Sequence, residues 1–308
     1  MLGVLQGFFV VWVVILVGWF IARRGVLGPE AQNVLSRLTF FVASPALLLE
    51  TLSRADLHTV LSLPLLVAAC SAAATGALFW FLCRFWLRRT VAESLLSAMS
   101  SSVANSANLG LPIAAYVLGD VVYIAPLLIF QLAFYTPLYL LLLDSVTSGH
   151  RTTPGRVLLQ ILRNPMILGT LAGLVLAGTG WRLPDLVLAP IHLLGGAAVP
   201  AMLVAFGMSL AGSKPFAAVD GRRADTLLAV GFKLIVHPLA AYLVARYGLH
   251  MDGHALFAVV VTSTLPTAQN VYVTAQRYQV GVAVAKDTVL ATTILAIPAM
   301  AAAALILG

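Results

Sequence analysis

The chain has 308 residues, of which 61% are hydrophobic and 9% are charged, and its mean hydropathy is +0.99. A soluble domain of this length would have to expose much of that apolar surface to water, so the composition excludes a soluble protein. The formal net charge of +7 does not indicate a nucleic-acid partner, because the basic residues follow alternate loops. The composition therefore predicts an all-α integral membrane protein.

Ten apolar segments are each long enough to cross a hydrocarbon layer of about 30 Å, which takes roughly 20 helical residues. We number these predicted spans 1 to 10 in chain order: 2–22, 31–52, 58–83, 91–118, 121–144, 158–178, 184–210, 224–246, 253–276 and 284–307. Thirteen basic residues fall in the loops on one side of this arrangement and three on the other. Because Arg-rich loops stay in the cytoplasm, both termini are expected outside.

Weak internal similarity relates the two halves of the chain. "PALL" at 45–48 resembles "PAML" at 200–203, and further matches lie 161 residues apart: Ser101, Ser102, Ala107 and Pro137 with Thr262, Ser263, Ala268 and Pro298. These matches keep their order and equate spans 1–5 with spans 6–10. Because five is an odd number, the second half enters the membrane from the opposite side. We therefore predict a first repeat at 1–146, a cytoplasmic linker at 147–156 and an inverted repeat at 157–308.

Spans 4 and 9 are each interrupted by polar and helix-breaking residues, in "VANSANLGLP" (103–112) and "TSTLPTAQNVYVTAQRY" (262–278). Irregular backbone at membrane depth persists only where protein encloses it or where it lines a cavity. Each break also creates a half-helix N-terminus that attracts an anion. The alternative is a simple kink with close helix packing. The candidate substrate-binding residues are Asn105, Ser106, Asn108, Gly110, Pro112, Pro266, Thr267, Gln269 and Asn270.

Ionisable residues inside predicted spans add further candidates. Lys233 lies near the middle of span 8, where a lone cation costs at least about 2.5 kcal/mol, so we expect it to bind a substrate carboxylate or to brace packed carbonyls. His237, one turn further on, is a candidate proton relay. Glu50 is either interfacial or a gating carboxylate. His192 has no acidic neighbour at helical spacing, which favours a packing role.

Together, "NSANLGLP", "LPTAQNVYVTAQRY" and "SPALLLETLS" resemble the auxin efflux carrier family over the whole chain, in particular its short bacterial members, some of which are associated with malonate uptake. The resemblance implies a fold similar to bile acid sodium symporters, with broken, crossing spans 4 and 9. It also implies a scaffold of spans 1, 2, 6 and 7, and a moving core of spans 3–5 and 8–10. An elevator mechanism, a homodimer and a bacterial inner-membrane location follow from the same resemblance.

Motif position within the resemblance assigns roles to two residues. Asn105 falls on the family's substrate-binding asparagine and Pro266 on the crossover proline of span 9. The chain has Ala104 where plant members have proline, and it lacks their long central hydrophilic loop. These departures make an aromatic, auxin-like carboxylate the alternative substrate and a small carboxylate, with malonate as the dicarboxylate example, the expected one.

The motif content favours a secondary transporter over other classes. The chain has no His-Glu-x-x-His, no Gly-x-Ser-x-Gly and no paired intramembrane aspartates, so we expect no enzyme activity and no metal site. A receptor or channel would need a signalling domain or a continuous polar stripe. No phosphate-binding Gly-rich loop precedes a Lys, so an ion gradient rather than ATP is expected to drive uphill transport. No other cofactor is expected, and H⁺ coupling, Na⁺ coupling and uncoupled uniport all stay open.

Overall fold

The computed structural model describes residues 2–28, 30–55, 63–147, 155, 159, 162–211 and 222–307. In these residues the secondary structure is helical, apart from one isolated β-bridge. The described helices, in chain order, are α1 (Leu2–Arg23), α2 (Ala31–Leu52), α3 (Leu63–Trp86), α4 (Val91–Ser102), α5 (Ser106–Leu118), α6 (Val121–Thr147), α7 (Pro165–Thr179), α8 (Asp185–Leu210), α9 (Arg223–Gly248), α10 (Gly253–Ser263), α11 (Gln269–Tyr278) and α12 (Val282–Leu307).

Six described helices, α2, α3, α6, α8, α9 and α12, are long and apolar enough to cross a membrane. The fold is therefore that of an all-helical, multi-pass membrane protein. Predicted spans 4 and 9 each contain an interruption, which separates α4 from α5 and α10 from α11. Most of the predicted linker 147–156, and the first residues of spans 3 and 6, lie outside the described residues.

The chain forms two compact units, and each unit takes segments from both predicted repeats. The first unit comprises Met1–Ser62, Ala107–Ile129 and Leu158–Ser213. The second unit comprises Leu63–Ser106, Phe130–Val157 and Lys214–Gly308. The boundaries fall at the start of α5 and inside α6, so both of these helices contribute to both units.

In the first unit, glycines let helix backbones approach one another closely. A Cβ on Gly207 of α8 would collide with the backbone carbonyl of Ile15 on α1, and one on Gly169 of α7 would lie 2.5 Å from the carbonyl oxygen of Pro45 on α2. Small residues have this role in membrane helices, where close van der Waals packing replaces the hydrophobic drive. A side chain at either position would push the two helices apart.

In the second unit, the N-terminal ends of α4 and α9 are joined by ion pairs. Thr90 and Glu93 form a capping box that satisfies the first free N–H groups of α4. The guanidinium of Arg89 contacts the buried carboxylate of Asp225 at 3.0 Å, and Arg222 bridges Asp225 and Glu93. Arginines that the sequence assigns to loops therefore also hold two helix ends together.

Candidate functional site

The interruptions of spans 4 and 9 pair with each other through their backbones. Ala104 and Thr267 form an antiparallel bridge. The N–H of Asn105 donates to the carbonyl of Pro266 at 2.7 Å, and the N–H of Ala268 donates to the carbonyl of Val103 at 3.1 Å. We call residues 103–105 and 266–268 the paired break. This pairing satisfies backbone groups that the two helices cannot satisfy internally, as the burial of these residues requires.

The side chain of Gln131 on α6 forms hydrogen bonds with the first segment of the paired break, residues 103–105. In the amide orientation that satisfies both backbone groups of Ala104, the Gln131 oxygen accepts from the Ala104 N–H at 3.0 Å. Its nitrogen then donates to the Ala104 carbonyl at 2.8 Å and to the Ser106 hydroxyl at 3.3 Å. Gln131 is 2% exposed, so these bonds are shielded from water. A single amide thus replaces the neighbouring strand that a sheet would supply.

Two threonine hydroxyls form hydrogen bonds at the second segment of the paired break, residues 266–268. The N–H of Thr267 donates to Oγ1 of Thr292 on α12 at 3.0 Å, and Oγ1 of Thr267 donates to the carbonyl of Ser100 at 2.6 Å. Ser100 lies in the last turn of α4, where carbonyls lack partners within the helix. Thr267 therefore satisfies the end of the opposite interrupted helix.

The second set of helical segments begins directly after the paired break. Helix α5 starts at Ser106 and α11 starts at Gln269, so both N-terminal ends adjoin the same short backbone pairing within the second unit. Such ends carry unpaired N–H groups and a partial positive charge. They form a suitable environment for a carboxylate.

The structure places the predicted site residues in two groups. Asn105, Ser106, Pro266, Thr267, Gln269 and Asn270 belong to the second unit, whereas Asn108, Gly110 and Pro112 belong to the first. Asn105 and Thr267 are buried, Gln269 is partly buried and Asn270 is exposed. Asn105 lies in the paired break itself, while Asn270 is one residue inside α11. The structure thus brings Asn105, Ser106, Pro266 and Thr267 together through the hydrogen bonds described above.

Lys233 is fully buried beside the second interrupted helix. Its ammonium donates to the carbonyl of Ser263, the last residue of α10, at 2.7 Å, and contacts Nδ1 of His237 at 2.9 Å. In a continuous helix that carbonyl would accept from the N–H of Thr267, which instead donates to Thr292. Lys233 therefore satisfies a carbonyl that the interruption leaves free.

Three of the supporting residues lie in π-helical turns. Gln131 lies in the turn Phe130–Tyr135, Lys233 in Phe232–Val236, and Ser106 begins the turn Ser106–Gly110. A π-helical turn widens the helix locally, and such turns occur frequently at functional sites. Their positions around the paired break agree with a functional role for this region.

The sequence analysis missed Gln131 and Thr292, although the sequence contains a signal for both. The two residues are 161 residues apart, which is the offset that relates Ser102 to Ser263. Each also bonds the backbone of its own repeat's interrupted segment, at Ala104 and Thr267 respectively. A polar residue that recurs at the repeat offset inside an apolar helix would have identified them.

A separate polar cluster lies in the first unit. Nδ1 of His192 lies 3.0 and 3.1 Å from the two carboxylate oxygens of Glu50, and Arg54 approaches the same carboxylate at 3.7 Å. Glu50, Arg54 and His192 line a cavity of about 570 Å³ together with Asp120 and Tyr123. The packing role expected for His192 is wrong, because its side chain is 74% exposed and its acidic partner comes from another helix.

These features define a class of protein before any comparison is made. A multi-pass helical membrane protein with two interrupted helices paired inside one compact unit has the architecture of a membrane transporter. The family described as "Membrane transport protein" matches residues 4–303. The chain belongs to this family, which is that of the auxin efflux carriers.

Individual relatives agree with this assignment. The chain is 28% identical over 291 residues to a protein of Rhizobium meliloti (strain 1021) named "Putative malonate transporter", covering 92% of this chain and 89% of the relative. An "Uncharacterized transporter" of Methanothermobacter thermautotrophicus is 28% identical over 93% of both chains. The "Uncharacterized transporter YfdV" of Escherichia coli (strain K12) is 25% identical, over 87% of this chain and 86% of the relative. These relatives are named as transporters and not as enzymes.

Proposed function

We propose that the protein is a secondary transporter that moves a small organic anion across the bacterial inner membrane. The substrate is a carboxylate, and malonate is the first dicarboxylate to test because one relative carries that word in its name. The observation that carries the proposal is the paired break, at which the N-terminal ends of α5 and α11 adjoin. Two helix N-terminal ends, each with a partial positive charge, next to this backbone pairing favour an anion.

Within this proposal the polar side chains around the paired break hold the substrate. Asn105, Ser106, Asn108, Gln269 and Asn270 supply hydrogen bonds, while Gly110, Pro112, Pro266 and Thr267 shape the backbone. Lys233, which is buried and bonded to the Ser263 carbonyl, supplies positive potential that attracts the substrate carboxylate. His237 and Glu50 are the coupling or gating candidates, with H⁺ or Na⁺ as the ion. The alternatives are an uncoupled uniporter and an exporter of auxin-like aromatic carboxylates.

The transport cycle that we propose is an elevator. Spans 3–5 and 8–10 carry the substrate, spans 1, 2, 6 and 7 form a homodimeric scaffold, and the two five-span repeats are inverted. The 161-residue spacing shared by Gln131 and Thr292 supports the repeat. In the proposed orientation both termini are periplasmic, so a cysteine introduced at Gly149 should react with an impermeant thiol reagent only after the membrane is opened. Rapid labelling of this cysteine from outside intact cells would show that the orientation is the opposite one.

Uptake measurements on Asn105→Ala test the proposed site. The full chain in proteoliposomes is given radiolabelled malonate, with acetate, succinate and indole-3-acetate as competitors. Loss of one amide that bonds a carboxylate should reduce uptake about tenfold, because hydrogen bonds to charged groups contribute about 1.5–3 kcal/mol. The melting temperature should change little.

Asn33→Ala is the matched control, because Asn33 is an exposed amide on α2 that donates to the carboxylate of Glu30 at 3.4 Å. This variant should transport as the wild type does. Unchanged uptake by Asn105→Ala would move the substrate site away from the paired break. Competition by indole-3-acetate alone would favour the auxin-like alternative.

A further inference from the structure

A fully buried lysine of α9, Lys233, contacts the C-terminal end of α10. Helix α10 ends at Ser263, and the carbonyl of Ser263 accepts a hydrogen bond from Nζ of Lys233 at 2.7 Å. Lys233 is 0% exposed, so its ammonium is removed from solvent. The backbone N–H that would otherwise pair with this carbonyl is bound to Thr292. The helix end therefore presents a carbonyl oxygen that only a group from another helix satisfies.

This place is chemically suited to a metal cation. The last carbonyls of a helix carry a partial negative charge, which stabilises a cation near the end. In transporters with discontinuous helices, half-helix C-terminal ends and unwound carbonyls coordinate the coupling Na⁺. Lys233 provides a covalently attached cation at a position of this kind.

The surroundings of Lys233 contain a helix end rather than an acid. Among the described residues, no Asp or Glu forms an ion pair with it. Its other described polar partner is His237, whose Nδ1 lies 2.9 Å from Nζ and accepts the hydrogen bond when the ammonium donates. Both groups could not hold a charge at this distance without strong repulsion. The pair thus carries at most one positive charge, and Nζ of Lys233 faces the Ser263 carbonyl.

We propose that Lys233 is a resident cation that occupies the place of a coupling Na⁺ at the C-terminal end of α10. Transport therefore does not require Na⁺. This inference rests on the proposed transport function, and it selects among the coupling alternatives by excluding Na⁺. It also gives the lysine a defined role, which is to neutralise the helix end throughout the cycle.

The first test needs no substrate. The melting temperature of the purified full chain in detergent is measured in NaCl and in choline chloride of equal ionic strength. The wild type should melt within about 1 °C in both salts, because its cation is covalently attached. Lys233→Ala should melt about 5 °C lower in choline chloride and should regain at least half of that loss with methylammonium or Na⁺, in a saturable manner.

Two variants control this measurement. Lys286→Ala removes an exposed lysine of α12 in the same unit and should respond to none of these salts. Lys233→Met fills the volume without a charge, so it should lose stability and should not be rescued. Saturable stabilisation of the wild type by Na⁺ would overturn the inference. Equal melting of Lys233→Ala and Lys233→Met with no response to either cation would also overturn it. If Lys233→Ala does not fold, the wild-type titration and Lys233→Met decide.

The second test uses malonate uptake in proteoliposomes with Na⁺ replaced by choline on both sides. The wild-type rate should change by less than about twofold, whereas an obligatory coupling ion gives at least about a tenfold loss. A tenfold loss would overturn the resident cation while the transport function stands. Absence of any malonate uptake would count against the proposed substrate alone, because the melting experiment tests the cation site independently.

Discussion

The two interrupted helices end in different ways. At the end of α4, the Ser100 carbonyl accepts from the neutral hydroxyl of Thr267 at 2.6 Å. At the end of α10, the Ser263 carbonyl accepts from the ammonium of Lys233 at 2.7 Å. In a continuous helix the Ser100 carbonyl would accept from the N–H of Ala104, and the Ser263 carbonyl from the N–H of Thr267. Both N–H groups donate to side chains instead, that of Ala104 to Gln131 and that of Thr267 to Thr292. A free helix-end carbonyl therefore accepts from a hydroxyl in α4 and from a lysine side chain in α10.

The surroundings of the two ends differ accordingly. The residues 161 positions before Lys233 and His237 are Ala72 and Gly76. There, the Tyr135 hydroxyl donates to the Ala72 carbonyl at 2.7 Å and contacts Ser102 at 2.9 Å. Tyrosines from α6 thus lie beside Ala72 and Gly76, the positions that the 161-residue offset relates to Lys233 and His237. The two helix ends therefore have partners of different chemistry, although both follow an interruption.

The largest effect is expected from filling the space beside Gly76, near the end of α4. A Cβ on Gly76 would lie 2.6 Å from the hydroxyls of both Tyr135 and Tyr139. Gly76→Ala should therefore cost about 2 kcal/mol, because buried rings must move and lose hydrogen bonds. Thermal unfolding of the purified chain, followed by tryptophan fluorescence, measures the loss.

Gly231→Ala is the matched control for this prediction. Gly231 lies in α9 of the same unit, and its Cβ would meet open space. This variant should be neutral or stabilised by about 0.5–1 kcal/mol, since alanine favours the helix. Equal melting temperatures for the two variants would show that the tyrosines accommodate a methyl group freely.

A smaller effect is expected from removing the neutral donor itself. Thr267→Val keeps the shape of the side chain but leaves the Ser100 carbonyl without its hydroxyl, which should cost about 1–2 kcal/mol. Thr262→Val is the control, because the Thr262 hydroxyl donates to the carbonyls of Ala258 and Val259 in its own helix. If both variants melt alike, the hydroxyl of Thr267 does not support the end of α4.

The smallest effect concerns the His192–Glu50 pair of the first unit. His192→Gln removes the ring that contacts Glu50, but the His192 side chain is 74% exposed and Arg54 still approaches the carboxylate. The expected loss is about 0–1 kcal/mol. A melting-temperature change as large as that of Thr267→Val would mean that the Glu50 pair is shielded from water in the folded protein. That outcome would remove the contrast between exposed and buried charge.

Helix positions could largely be predicted from the sequence. Span 7 was predicted at 184–210 and forms Asp185–Leu210, and span 8 at 224–246 forms Arg223–Gly248. The interruption at Pro266 was also predictable, because proline removes a backbone donor and disfavours helix at the preceding residue. The supporting residues were harder to predict. Gln131 looks like an isolated amide in an apolar helix unless it is compared with Thr292, 161 residues further on, and only the structure shows that it bonds Ala104.

The sequence by itself determined the membrane character of the chain, the extent of most helices and the two places where helices break. These properties follow from hydropathy over about 20 residues and from the local chemistry of glycine, proline and amides. Only the tertiary structure decided that Lys233 faces the Ser263 carbonyl and that His192 pairs with Glu50. Helical spacing reveals neighbours within one helix, whereas these partners come from different helices, and packing alone brings them together.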